Sequence, residues 1–475
     1  VTHRNGLLVR NFKDRYTPPL QFYFIAPFIG LLGESSFVCR LPFALCGVVT
    51  VGIIVAWLRK ARPPAIVWWA AVIIVLTNAE FFLFFRQCRY YGLATVLTAA
   101  VGYFYCNRGQ SLARTWGLSI VLALLLAAQY LDYAAVIGCL IVDYAIWGRR
   151  QPLGFRRWLV ILVPQVVVGV VILSIWNPLA PQIGEQSYHS QHLISDRLHL
   201  IWWNFRDLNA CDFAILPLVI ACPIVYFKTK SQWILRAPLA LCVFVGAMGL
   251  AVPTSVARAH TAEVRYLAPA IPLCMGVGIL AVWGLISFNR LSRWAVLLIA
   301  LGSILIEPSP GEPSRFFGST ALLYYHELAI PQQESYAPVI DWINANVPAG
   351  ESIYVQPIYK SYPLMFRASK AVYAWQLGDD QMQSTRPDFA GLPDIHFWGR
   401  VAPDYLIRFG TNGESAGADR AREVLASRDI DYQLVATLPL QWKDFYRPER
   451  IWRSFVTVPP KQGEEVYIYR KEENR

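Results

Sequence analysis

Charged side chains are scarce before residue 307, and those present gather at the ends of apolar runs. One group is Glu80 with Arg86 and Arg89; Asp132 stands alone; a third group is Arg258, His260, Glu263, Arg265 and Tyr266. The stretch 177–208 adds His189, His192, Asp196, His199 and Asp207 beside Trp202 and Trp203. A charge at membrane depth is costly, so each of these is a candidate for function. Taken singly, each could equally be an interfacial side chain reaching water. Several on one face are harder to dismiss. A guanidinium offers a planar fork that fits phosphate oxygens, which makes holding an anion the chemistry of Arg86, Arg89 and Arg265. His260 lies near enough to Arg265 in sequence to touch the same anion, although a lone loop histidine is uninformative without a partner. His189, His192 and Asp196 fall at i, i+3 and i+7, a spacing that could offer a divalent metal one helical face. Three polar residues so placed more often make a wet surface. A divalent cation therefore stays open as a cofactor, and no metal ligand is assigned.

These residues need elements to position them, and the composition says which kind. Of 475 residues, 55% are hydrophobic and 16% charged, against roughly 25% charged in an ordinary soluble domain. Residues 1–306 hold 25 of the 43 basic residues and 10 of the 32 acidic ones. The remainder, 307–475, holds 18 basic and 22 acidic. The change falls at Glu307-Pro308-Ser309-Pro310-Gly311, which reads as a linker. The net charge of +11 first suggests nucleic acid. Its location argues against that partner, because the excess sits in short loops between apolar runs, where basic residues orient membrane helices. The nine cysteines all precede residue 307, form no Cys-x-x-Cys pair, and read as small hydrophobes.

A spanning helix needs about 17–25 mainly apolar residues. Ten runs approach or meet this, near 36–58, 64–84, 88–106, 113–131, 132–147, 157–176, 209–227, 234–252, 265–288 and 292–306. The stretch Pro19–Gly33 is too short to span upright and is expected to lie at the interface. Basic residues crowd the loops at 59–62, 108–114, 149–157, 228–236 and 290–293, and thin out in the alternate ones. That bias is the positive-inside pattern; only the basic start of the chain, Arg4 to Arg15, runs against it. The crowded side is then cytoplasmic, and the chain leaves its tenth run outside. The expected architecture is a polytopic all-α membrane domain of about ten spans followed by a small α/β soluble domain. Residues 1–35 form a partial outer loop and juxtamembrane helix, 36–306 the membrane domain, and 307–475 an extracytoplasmic domain.

From residue 334 the periodicity changes. Val339, Ile340, Ile343 and Val347 fall at helical spacing and stop at Pro348-Ala349-Gly350. Short β-like runs follow at 352–356, 371–375, 404–409, 432–437 and 465–469, with a second helix expected over 416–428. Strands alternating with helices predict α/β. The domain contains no glycine-rich phosphate loop, no Gly-x-Ser-x-Gly and no His-Glu-x-x-His.

Three segments carry a resemblance. The first is Tyr16-Thr17-Pro18-Pro19-Leu20-Gln21-Phe22-Tyr23, continuing to Arg40-Leu41-Pro42-Phe43. The second is Arg86-Gln87-Cys88-Arg89-Tyr90-Tyr91-Gly92-Leu93, and the third is Glu263-Val264-Arg265-Tyr266-Leu267-Ala268-Pro269 followed by Pro272. In order and spacing they resemble the bacterial relatives of protein O-mannosyltransferases and of the lipid A aminoarabinose transferase, in the GT-C superfamily. The resemblance covers about 16–306.

It implies transfer of a sugar from a polyprenyl-phosphate donor to a hydroxyl of a lipid, glycan or protein, at the outer face of the cytoplasmic (inner) membrane. Such a site needs a carboxylate to take the acceptor's proton and cations to hold the leaving phosphate. Arg265, Arg86, Arg89, His260 and Tyr266 would hold the phosphate. The family's acidic pair, in a loop after an initial span, has no counterpart in a chain that opens Val1-Thr2-His3-Arg4-Asn5-Gly6, and a second acidic position is Gln87. Asp14 and Glu80 are the substitutes for the base, and Glu34 reads as a turn residue before a helix cap. The resemblance thus implies that the natural chain begins further upstream, and that the chain as it stands is inactive in transfer. A non-catalytic prenyl-phosphate-binding relative is the alternative. A secondary transporter is disfavoured, because no internal repeat is visible and the charges cluster at span ends, Asp143 being the main interior exception.

Overall fold

The computed structural model describes residues 20–33, 35–108, 111–148, 153–175, 193–211, 222–227, 229–251, 263–287, 325, 336–356, 360–374, 403–409, 431–440 and 464–472. They belong to two compact units, one of helices and one built round a sheet.

The helical unit opens with α1 (Leu20–Leu32) and α2 (Ser36–Ala61). At 13 residues, α1 is about 20 Å long, short of the roughly 30 Å hydrocarbon core. Ser35 caps α2 by accepting from the Val38 amide at 3.1 Å, and Arg59 and Lys60 in its last turn complement the helix dipole. The apolar run at 64–84 is not one helix. It divides into α3 (Ala65–Thr77) and α4 (Ala79–Phe85), bent by 56°. Asn78 causes the break: its backbone is extended, and its side chain accepts from the Phe81 amide at 2.7 Å, starting a new helix. A second break, at Arg86–Arg89, leads into α5 (Tyr90–Cys106).

Next come α6 (Leu112–Ala128) and α7 (Tyr130–Trp147), separated by the extended residue Gln129. Asp132, at the start of the expected run 132–147, lies in the first turn of α7 and is buried. The unit continues with α8 (Phe155–Ile175), α9 (Leu193–Cys211), α10 (Trp233–Ala251), a 3-10 helix at Glu263–Ala270, and α11 (Ile271–Ile286). Among the described residues five helical stretches are long and apolar enough to cross a membrane, or six if α3 and α4 form one bent span. The run at 292–306 and much of 209–227 lie outside the described residues, so the count of ten is not established. The 3-10 helix packs against α4, α5, α9 and α10, and α2 packs on α5.

Glycine sets the spacing beside the second break. A Cβ on Gly47 or on Gly92 would come within 3.0 Å of the Phe85 ring, so α2 and α5 close on Phe85 from both sides. Arg86 follows directly, and the break is thereby fixed to the core.

The second unit is a five-stranded mixed sheet in the order β2-β1-β3-β5-β4. Its strands are β1 (Ser352–Gln356), β2 (Val372–Ala374), β3 (Tyr405–Phe409), β4 (Tyr432–Leu440) and β5 (Glu464–Lys471). The first three are parallel, and β5 and β4 are antiparallel. Helix α12 (Ala337–Asn346) lays Val339, Ile340 and Ile343 on Ile353, Val355, Ile407 and Ile468. A short helix, α13 (Ser361–Arg367), is additional to the expected elements. The helix expected over 416–428 and the boundary at 307 lie outside the described residues. Edge strand β4 carries Pro439 and a register shift at Leu434/Ala436, devices that discourage further strand pairing.

Candidate functional site

The first turn of α5 is where distant segments meet. Its N-cap is Arg89, in extended conformation. The Tyr90 amide donates to Gln21 Oε1 of α1 at 3.1 Å, across 69 residues of sequence. The Tyr90 and Tyr91 rings pack with centroids 4.4 Å apart, and Arg89 donates to the Tyr91 hydroxyl at 3.3 Å. The 3-10 helix that carries Tyr266 packs on α5, and Tyr90 lies within electrostatic range of Tyr266, of Asp132 in α7 and of Gln129. Arg265 lies over the Tyr266 ring, 5.0 Å from its centroid, and donates to the Tyr266 hydroxyl at 3.5 Å. All three segments of the resemblance therefore converge on Tyr90.

The chain achieves this with breaks rather than long helices. Arg86 to Arg89 sit in an interruption that leaves Arg86 and Arg89 at the surface. Pro269 and Pro272 cannot donate to a helix, and the segment around Arg265 accordingly winds as a 3-10 helix before α11 begins.

Two carboxylates, each in the first turn of its helix, are buried. Glu80 is in the first turn of α4 and is 0% exposed. Asp132 is 1% exposed, and neither of its oxygens meets a hydrogen-bond donor among the described residues. Sequence reasoning placed Asp132 among the polar residues at span ends without giving it a role. The available signal was a carboxylate three residues into an apolar helix, where solvation is lost and donors are few.

Of the other candidates, Asp14, His260, His189 and His192 lie outside the described residues. Asp196 and His199 are on α9, where the His199 ring nitrogen pairs with the Ser195 carbonyl at 2.8 Å and the ring lies 6.1 Å from that of Trp203. No group of three potential metal ligands occurs among the described residues. The two cavities described in the helical unit, of about 190 and 530 Å³, lie toward the opposite ends of α2 and α5. Neither of them is lined by Arg86, Arg89 or Arg265.

The sequence matches no family model and no curated protein. In three dimensions the chain is similar to ArnT from Cupriavidus metallidurans bound to undecaprenyl phosphate, with a TM-score of 0.57 and 13% identity over 98% of this chain and 91% of that one. The same protein in its apo state gives a TM-score of 0.53 at 13% identity, with the same coverage of both chains. This chain has the fold of ArnT. At 13% identity the likeness is one of fold, and the ArnT-like scaffold is what brings Gln21, Tyr90 and Tyr266 to one place.

Proposed function

We propose that the chain transfers a sugar from a polyprenyl-phosphate donor to an acceptor hydroxyl at the outer face of the cytoplasmic membrane. The meeting of the three segments at Tyr90, on an ArnT-like fold, is the observation that carries this reading. Arg265 and Arg89, with Arg86 beside them, hold the donor phosphate and stabilise the charge that grows on it as the glycosidic bond breaks. Tyr266 orients Arg265, and His260 joins the phosphate contacts. Glu80, Asp132 or Asp14 takes the acceptor's proton. The full architecture in this reading is ten spans over 36–306, a juxtamembrane segment over 1–35, and an extracytoplasmic domain over 307–475 that helps select the lipid, glycan or protein acceptor.

Binding of undecaprenyl phosphate to the purified full chain tests the reading. A charge-assisted hydrogen bond contributes about 1.5–3 kcal/mol, so Arg265→Ala or Arg89→Ala is expected to weaken binding about 10- to 100-fold. Arg156→Ala, in the first turn of α8, is expected to leave it unchanged. Equal affinity in all of these proteins would overturn the phosphate assignment.

A further inference from the structure

The cation-rich end of the helical unit contains two adjoining cavities. The larger cavity, about 530 Å³, runs between the last turns of α2, α5 and α11 and the start of α10. A smaller one of about 190 Å³ continues it inward, and the two share Ile54, Trp57, Cys106, Trp233, Pro272 and Gly276. Among the described residues, Asp143 and Arg236 are the acidic and basic side chains lining the inner stretch, and they close on each other through two hydrogen bonds of 2.6 Å. The Tyr105 hydroxyl donates to Asp143 at 2.9 Å, and the Trp233 ring covers Arg236 at 4.3 Å. With that pair neutralised, the inner stretch suits a hydrocarbon chain. The outer stretch is different. It is lined by Lys60, Asn107, Thr229, Ser231 and Ser287. The Lys60 ammonium donates to Asn107, which leaves two of its three N–H groups. Lys60 is exposed, as are its neighbours Arg59 and Arg62.

We propose that this site holds an anionic phospholipid, with one acyl chain between Trp57 and Trp233 and the headgroup phosphate at Lys60. Charge complementarity selects the occupant. Bilayer and cavity are both apolar, so moving a chain between them gains nothing by transfer. Retention comes from filling a void that otherwise lacks contact atoms, and from the phosphate on the ammonium. A zwitterionic lipid would fill the same void but add less at Lys60.

The full chain, purified in neutral detergent, is titrated with phosphatidylglycerol or phosphatidylcholine and read by native mass spectrometry. Phosphatidylglycerol is expected to bind more tightly. Lys60→Ala should weaken it about fivefold, the worth of one basic residue at an anionic headgroup, and remove the preference between the two lipids. A Cβ on Gly276 meets nothing within 4 Å and the residue lines both cavities, so the side chain of Gly276→Leu starts into open cavity space and should abolish retention of both. Gly102→Leu, equally unobstructed and on the inner stretch, is the second variant should the first fail to fold. Equal binding of the two lipids to the unaltered protein, or undiminished binding by a folded glycine variant, would overturn the proposal. So would displacement of phosphatidylglycerol by equimolar undecaprenyl phosphate, which would assign the cavity to the carrier lipid. Neither Lys60 nor Gly276 touches the Arg89–Arg265 surface, so this result is independent of the proposed transfer.

Discussion

Asp132 and Asp143 lie on the same helix, about three turns apart, and the structure treats them in opposite ways. Asp143 accepts two hydrogen bonds from Arg236 and a third from Tyr105. Asp132 is at least as deeply buried and accepts none among the described residues. A satisfied carboxylate holds helices in register; one buried without donors costs free energy unless something else uses it. Asp143 joins α5, α7 and α10 at the cation-rich end. Asp132 sits at the end where Gln21, Tyr90 and Tyr266 converge, which places the unsatisfied group at the proposed transfer site and the satisfied one in the framework.

The comparison can be broken most severely by catalysis. In a preparation with measurable transfer, Asp132→Asn is expected to lower turnover 10²- to 10⁴-fold, the usual worth of a general base, while polyprenyl-phosphate binding is retained. Unchanged turnover would leave Asp132 without a role in the reaction. Stability separates the two aspartates next. Arg236→Ala strands Asp143 as an uncompensated buried charge and is expected to cost about 3–5 kcal/mol, whereas the pair Arg236→Met with Asp143→Leu should recover most of it. Asp132→Asn should melt at the same temperature as the unaltered protein or higher. A third carboxylate extends the contrast to the sheet. Asp404 accepts from the Ser352 amide at 2.8 Å and from its hydroxyl at 2.7 Å, while Ser352 Oγ accepts from the Asp404 amide at 2.9 Å. Denaturant titration of Asp404→Ala should show a loss of about 1–3 kcal/mol in the sheet unit. The smallest effect belongs to Gly92→Ala. Its Cβ would press the Phe85 ring at 3.0 Å, an overlap that a shift of a few tenths of an ångström relieves at a cost of about 1 kcal/mol.

Much of the sheet was legible in the chain. Runs such as Ile353-Tyr354-Val355 and Tyr405-Leu406-Ile407 are rich in β-branched and aromatic residues and bounded by turn residues, and strands form where expected within a residue or a few. Strand β4 runs on to Leu440 because β5 offers pairing partners that no local pattern reveals. Helix α13 escaped notice because Ser361-Tyr362-Pro363 reads as a turn, although proline is tolerated in a helix's first turn. In the helical unit, apolar runs located the helices but hydropathy averaged over their breaks. Asn78 and Gln129 each interrupt a run, and both are polar residues amid apolar ones whose meaning depends on side-chain and backbone hydrogen bonding. The convergence on Tyr90 could not be read from spacing at all. It depends on helices 69 residues apart being held together, on Phe85 fitting between Gly47 and Gly92, and on the 3-10 helix around Arg265.

Photo-crosslinking the full chain with a polyprenyl phosphate that carries a diazirine in its first isoprene unit tests the account most directly. Adducts are expected within Arg86–Tyr91 and Glu263–Pro269, and they should be lost in Arg265→Ala. Adducts confined to the cavity at Lys60, Trp57 and Trp233, and unaffected by that substitution, would contradict the claim that the arginine surface grips the carrier lipid.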